Sequence, residues 1–300
     1  MAAREKMLLD VKWATRQRLQ YIEVMAFYTG VVSRSDVARA FGISDPAATK
    51  DLKLYTDLVP GNLVYTQSVF GFVPSPAFSP AFAELEPAAV LSVIAANLAV
   101  AGGPYGREAI YGLPTAALPL PARLPGREVL AQITRAIHGR RKLRVRYRSL
   151  SDRDSGESRA LEPHALVDTG LRWHVRAYSD DTYDFRDFVL SRFLEAECLD
   201  EPAESSAEYD EDWVESVTLK LAPHAGLDAQ KRASLLLDYG ATGGASGDAI
   251  EVEVRRALIG YMLQRLSVDT TQGHTLNPQA YQLMLLNRDE IEPFAGWAFR

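Results

Sequence analysis

Ala47, Ala48, Thr49, Lys50 and Lys53 follow directly on Ser44-Asp45-Pro46. A serine N-cap and a proline in the first turn open a helix at that point, so its leading turns present only small or polar side chains. Small residues let a helix settle into the major groove of DNA, and Thr and Lys reach base edges and phosphates. Arg34, Ser35 and Arg39, just upstream, add further polar and cationic reach. A second group with binding chemistry lies on alternating runs. Lys142, Arg144, Arg146 and Arg148 share one face of a period-2 segment, and His174, Arg176 and Tyr178 share one face of another.

The elements that would position the first group are punctuated clearly. An apolar helix over about 13–29 ends at Gly30, and a second, capped by Ser33 or Ser35, stops at Gly42. A third runs from Ala47 to about Leu58 and turns Leu52, Leu54, Tyr55 and Leu58 to a core. Leu63–Thr66 and Phe70–Val73 read as two strands joined near Gln67-Ser68-Val69. Helix, helix, glycine turn, helix and hairpin is the winged helix-turn-helix order, although a plain three-helix bundle has the same helices. The wing tip at Gln67 and Ser68 has no Lys or Arg, which leaves most phosphate contact to Arg34, Arg39, Lys50 and Lys53. With so few cations one copy binds weakly, and a dimer is expected.

The second group sits on a helix over 126–141 followed by strands. In Lys142–Ser149, Leu143, Val145 and Tyr147 face a core; the opposite row of arginines equally suits a solvated face. Ser158–Val167, the turn Asp168-Thr169-Gly170 and the Arg172–Tyr178 run form a hairpin, with Trp173, Val175 and Ala177 directed inward. Phe185–Arg192 reads as a further strand. Beyond lie a strand at 214–221, a helix near 228–238, a strand at 251–255, a helix over Ala257–Val268 and a last segment at Gln282–Leu286. Proline and glycine place breaks at Val73–Pro80, at Gly102–Pro125 and at Asp200–Ser206. The expected pieces are residues 1–80, a helical connector and Pro-rich linker over 81–125, a domain over 126–200 and an α+β extension over 207–300.

The runs RRKLRVRYRSL, EPHALVDTGLRWHVRAYSDD and FRDFVLSRFLEAE resemble the WYL domain, with Trp173-His174-Val175 at the naming triplet and His174 and Val175 in place of its Tyr and Leu. With PGNLVY in the first domain, the whole chain resembles bacterial WYL transcriptional regulators, nearest to phage-defence-associated repressors of the BrxR and CapW type. The resemblance implies an α+β multidomain protein: a winged helix-turn-helix, an Sm-like β WYL domain and a C-terminal extension for dimerisation or gating. It also implies an anionic, nucleic-acid-derived effector, a nucleotide or oligonucleotide, held by Tyr147, Ser149, His164, His174, Arg176, Tyr178, Arg186, Ser191 and Arg192. Arg176 and Arg192 suit bidentate phosphate contact, and Tyr178 and Phe188 suit base stacking. The DNA-facing residues are Arg34, Ser35, Ser44, Ala47, Thr49, Lys50, Lys53, Gln67 and Ser68.

Charge bears on this directly. The net charge of −6 argues at first against nucleic acid. Residues 201–300 hold 8 basic and 16 acidic side chains, whereas residues 1–80 hold 9 and 7. The acidity is thus concentrated in the last third, which should sit away from a duplex. Other chemistries find little support. His138, His164, His174, His224 and His274 form no HExxH or His-x-x-x-His pair, and Glu162-Pro163-His164 is an isolated pair of structural type. Gly240–Gly247 lacks the Lys-Ser/Thr sequel of a phosphate loop and reads as a surface loop. A lone Cys198 excludes an internal disulfide, no run is apolar enough to span a membrane, and the N-terminus has no signal-peptide pattern, so a cytoplasmic protein is expected. The resulting expectation is a non-enzymatic, cofactor-free, homodimeric repressor that binds an inverted-repeat operator of double-stranded DNA and is released by an effector. A ligand-dependent activator, or an RNA- or oligonucleotide-sensing module without specific operator binding, are the alternatives.

Overall fold

The computed structural model describes residues 11–101, 110–118, 120–121, 123–150, 158–240 and 249–299, and the chain divides into two units, 1–119 and 120–300. In the first, α1 (Trp13–Thr29) ends at Gly30, whose left-handed φ of 78° lets the chain turn sharply. Ser33 begins α2 (Arg34–Phe41) with a capping box: its hydroxyl accepts from the Asp36 N–H while the Asp36 carboxylate accepts from the Ser33 N–H. Gly42, again left-handed, leads through Ser44 into α3 (Asp45–Leu58). Leu19, Ile22, Val37, Leu52 and Tyr55 meet in one core with Leu63 and Phe82. Each such apolar side chain contributes about 2 kcal/mol on burial.

Strands β1 (Leu63–Thr66) and β2 (Gly71–Pro74) pair antiparallel, Tyr65 opposite Phe72, and a 3-10 turn over Gln67–Val69 joins them. Val32 and Phe72 exchange backbone hydrogen bonds at 2.9 and 2.8 Å. That approach requires glycine at 71, where a Cβ would fall 2.6 Å from the Val31 side chain. The stretch read as a linker is fastened down. Pro74 still belongs to β2, the Ser79 N–H donates to Asn62 Oδ1 at 2.8 Å, and the N–H groups of Ala81, Phe82 and Ala83 donate to the buried Glu23 carboxylate at 2.7–2.8 Å. The connector helix is α4 (Pro87–Ala101). Tyr111, in the second predicted break, is buried against Tyr21.

In the second unit α5 (Arg127–Gly139) precedes five antiparallel strands: β3 (Arg141–Tyr147), β4 (Ser158–Asp168), β5 (Trp173–Ser179), β6 (Asp184–Val189) and β7 (Phe193–Pro202), in the order β6-β5-β4-β3-β7. Irregular register in β3 and at Pro163 to Ala165 accompanies the bending of this sheet. Leu143, Val145 and Tyr147 pack on Ile133 and Ala136 of α5. The opposite row is neither free nor simply solvated, since Arg144 and Arg146 pair across β7 with Glu197 and Glu195.

Three expectations need correction here. Trp173 is not core: it stands at the end of β5 with 39% of its surface exposed, whereas His174 keeps 1%. The break expected at Asp200 begins only after Pro202, because β7 continues through it. Phe185–Arg192 is strand only to Val189, and Leu190–Arg192 form a 3-10 turn.

The extension follows as a one-turn α6 (Glu211–Val214), β8 (Ser216–Pro223), α7 (Ala229–Asp238), β9 (Ile250–Arg255), α8 (Ile259–Arg265), β10 (Val268–Asp269), β11 (Leu283–Leu285) and α9 (Arg288–Ala295). Its sheet runs β10-β11-β8-β9, with β10 and β11 parallel and the rest antiparallel. The helix expected to reach Val268 stops at Arg265, since Val268 is drawn into the sheet beside Leu283. Leu219, Leu221, Ile259, Leu263, Leu283 and Ile291 form the core. Of the glycine-rich run at 240–247, residues 241–247 lie outside the described residues.

Candidate nucleic-acid interface and effector pocket

Helix α3 is held so that one face is free. Ala48, Leu52 and Tyr55 are buried, which corrects the expectation that Ala48 faces outward. Arg18 of α1 clamps Asp51 through two bonds of 2.6 and 3.1 Å, fixing the rotation of the helix. Thr49, Lys50 and Lys53 remain exposed, as does Ser44, which makes no side-chain cap bond. Ala47 is half-buried. Arg34 lies 3.5 Å from Asp45, both well exposed, and Ser35 is exposed beside Ser33.

A groove of about 720 Å³ separates α3 from the hairpin. Arg34, Ser35, Thr49 and Lys53 line it together with Tyr65 and Phe70. Gln67 and Ser68 are exposed in the 3-10 turn at the hairpin tip. The two aromatic residues escaped the sequence reading, which looked only for cations at the wing.

The nine residues proposed for the effector fall into different settings. Arg176 and His164 belong to a buried ionic cluster. Asp210 accepts from Arg176 Nε and Nη2 at 2.7 and 2.8 Å, and His164 Nε2 lies 3.0 Å from the same carboxylate. Burial would raise the Asp210 pKa, but the bonds from Arg176 and His164 outweigh it and bring it down to about 2. Asp187 stands 3.6 Å from Arg176, so this guanidinium already has two carboxylate partners. Tyr147 is packed edge-on against Phe188 and Phe193, and its hydroxyl accepts from the Val189 N–H at 3.0 Å. Tyr178 is half-buried against Phe185, and exposed Arg186 lies 3.8 Å from Asp184. Ser149 and Ser191 are half-buried.

His174 and Arg192 present a different chemistry. The His174 ring is buried, and among the described residues neither nitrogen has a hydrogen-bond partner. Desolvation first, then the charges of Arg172, Arg123 and Arg192, push its pKa down to about 4. Arg172 is itself lowered, by burial and by the other two arginines. Among the described residues none of these three arginines has an ion-pair partner. A neutral imidazole beside three uncompensated guanidiniums is a site in which an anion gains on every side. Tyr261, from α8, closes it with its ring 4.8 Å from that of His174. Arg172 and Arg123 could have been noticed as cations flanking the alternating strand; Tyr261 could not, being 87 residues from His174 in a different domain.

Comparison with known proteins gives three matches along the chain. Residues 14–96 match the BrxR transcriptional regulator winged helix-turn-helix domain, residues 128–198 the WYL domain, and residues 216–291 the BrxR transcriptional regulator C-terminal dimerization domain. The DNA-binding transcriptional repressor CapW of Escherichia coli (strain KTE188) is 35% identical over 93% of this chain and 91% of its own. The CapW repressor of Pseudomonas aeruginosa is 35% identical, over 94% and 92%. That of Stenotrophomonas maltophilia is 32% identical, over 94% and 92%. Among solved structures, proteasome accessory factor B/C of Arthrobacter aurescens is similar at 19% identity over 95% of this chain and 53% of that one, with a TM-score of 0.25, too loose a superposition to bear on function.

Proposed function

The chain belongs to the CapW family of DNA-binding transcriptional repressors, and from that premise we propose that it grips an inverted-repeat operator as a homodimer and leaves it when an anionic, nucleic-acid-derived effector occupies the arginine cluster around His174. One α3 helix would enter each half-site, with Thr49 and Lys50 toward the bases and Lys53 and Arg34 toward phosphates. The regulated promoter would be that of a phage-defence operon, as the resemblance to repressors of the BrxR and CapW type implies. The protein would act in the cytoplasm; no described helix is long and apolar enough to cross a membrane.

The observation that carries the effector half is the buried, unpartnered His174 ring beside Arg123, Arg172 and Arg192. A phosphate drawn between these arginines would offset their charge, the lesser cause of the lowered imidazole pKa after desolvation, and would accept from the N–H that the neutral ring already carries. Arg176, already bonded to Asp210, serves to hold the domain rather than to grip the ligand. Release requires the effector to favour one arrangement of the dimer over another, and Tyr261 gives it a contact with the dimerization domain through which to do so.

The DNA half is tested by gel shifts on the chain's own upstream DNA. Lys50→Ala and Lys53→Ala should each weaken binding and flatten its salt dependence. Unchanged binding by both variants would overturn the assignment of α3.

A further inference from the structure

The hairpin tip carries an unusual residue. Phe70 stands at φ 50° and ψ 34°, a left-handed conformation that bulky side chains rarely adopt, and 75% of its surface is exposed. Folding gains little from an aromatic ring held in that way. Packing does not demand it either: the glycine that the close approach to Val31 and Val32 requires is the next residue, Gly71. Strained backbone kept for an exposed apolar side chain points to something outside the chain that the ring meets.

The surroundings identify the partner. Phe70 and Tyr65, itself 55% exposed, line one wall of the groove whose other wall is α3, with Thr49 and Lys53. Arg34 also lines it, so the groove combines cations at its sides with an uncharged, aromatic tip. A polyanion with apolar rungs fits that pattern, and duplex DNA offers it. Its phosphates meet Arg34 and Lys53, and its deoxyribose rings line a minor groove narrow enough to touch a ring on both sides.

We propose that the wing enters the minor groove beside each half-site through Phe70, an uncharged contact to the sugar walls that replaces the cation a wing would otherwise insert. The inference rests on the repressor reading of the previous section. It assigns to Phe70 a share of affinity that does not depend on charge, and hence a readout distinct from that of α3.

The test compares wild type, Phe70→Ala, Phe70→Leu and Lys53→Ala on the same upstream duplex, by fluorescence anisotropy across a range of potassium chloride. Phe70→Ala should weaken binding about tenfold at every salt concentration with the slope of log K against log salt unchanged. Phe70→Leu should recover part of the loss, whereas Lys53→Ala should reduce the slope by about 0.9. Hydroxyl-radical footprints should show sugar protection flanking each half-site that Phe70→Ala alone removes. Binding by Phe70→Ala within about twofold of wild type, identical footprints, or a weaker dimer by sedimentation would overturn the proposal, the last by assigning the ring to a second copy of the chain. Failure of the wild type to bind any duplex would instead overturn the repressor reading, and this one with it.

Discussion

The ring of Tyr261 lies 4.8 Å from the ring of His174, and its hydroxyl donates to Asp187 at 3.1 Å. One residue of α8 thereby touches both the neutral imidazole of the arginine cluster and the carboxylate that faces Arg176. Residue 261 falls within the stretch matching the C-terminal dimerization domain, and His174 and Asp187 within the WYL stretch. Through these contacts the two domains share the pocket, and an anion bound beside His174 would change the charge against which Tyr261 packs.

Tyr261→Ala should therefore uncouple release from binding. The variant is expected to bind a short single-stranded oligonucleotide, measured by calorimetry, yet to remain on operator DNA in its presence. Tyr261→Phe keeps the ring contact but leaves Asp187 without its donor, and should cost about 1–2 kcal/mol in urea unfolding while still permitting release. Full release by Tyr261→Ala would exclude the coupling.

His174 gives the stability of the second unit a pH dependence of definite sign. Its folded pKa of about 4 lies below the ordinary histidine value, so between the two the unfolded chain binds the extra proton. Stability should be fully present above about pH 6.5 and fall as pH drops toward 4, by at most about 3 kcal/mol. Urea titrations across that window should show the slope, and His174→Asn should remove most of it. An equal slope in the variant would contradict the assignment.

Asp210 tests whether Arg176 is structural. Asp210→Asn leaves the Arg176 guanidinium buried beside a weakened partner, and should destabilise the protein by about 3–5 kcal/mol. Adding Arg176→Met should restore much of that loss while leaving oligonucleotide affinity close to the wild-type value. A variant pair that folds but no longer binds the effector would return Arg176 to the ligand.

Glu23 should dominate the stability of the first unit among its polar residues. Its carboxylate accepts from Tyr55 Oη at 2.9 Å and from three consecutive N–H groups of residues 81–83. Glu23→Ala removes all four acceptor contacts and is expected to cost at least about 3 kcal/mol. Hydrogen exchange should place the loss at residues 81–83; protection unchanged there would refute it.

The DNA-reading half was legible because its signals are local. Ser33, Gly42 and Pro46 act on backbone within a few residues of themselves, and the helices they delimit follow at once. The face of α3 was readable except at Ala48, where a small side chain carries no burial signal. The candidate effector pocket was legible only in part. Alternation assumes that a strand has one buried face, but β5 is covered on both: Val175 and Ala177 by the core under α5, and His174 and Arg176 by Tyr261 and Asp210. Arg176 thus looked like a free cation because Asp210 is 34 residues away in sequence. Glu23 and its partners near residue 82 escaped for the same reason, and a segment rich in proline passed for a loose linker.

Whether an anion at the arginine cluster takes the repressor off its DNA is decided by one titration. Wild type and Arg172→Ala/Arg192→Ala are bound to labelled upstream duplex, and unlabelled single-stranded oligonucleotide or inorganic phosphate is added while anisotropy is followed. The oligonucleotide should release the wild type at concentrations that leave the double variant bound, and phosphate should do so only weakly. Equal release of both proteins, or a wild type indifferent to every anion offered, would contradict it.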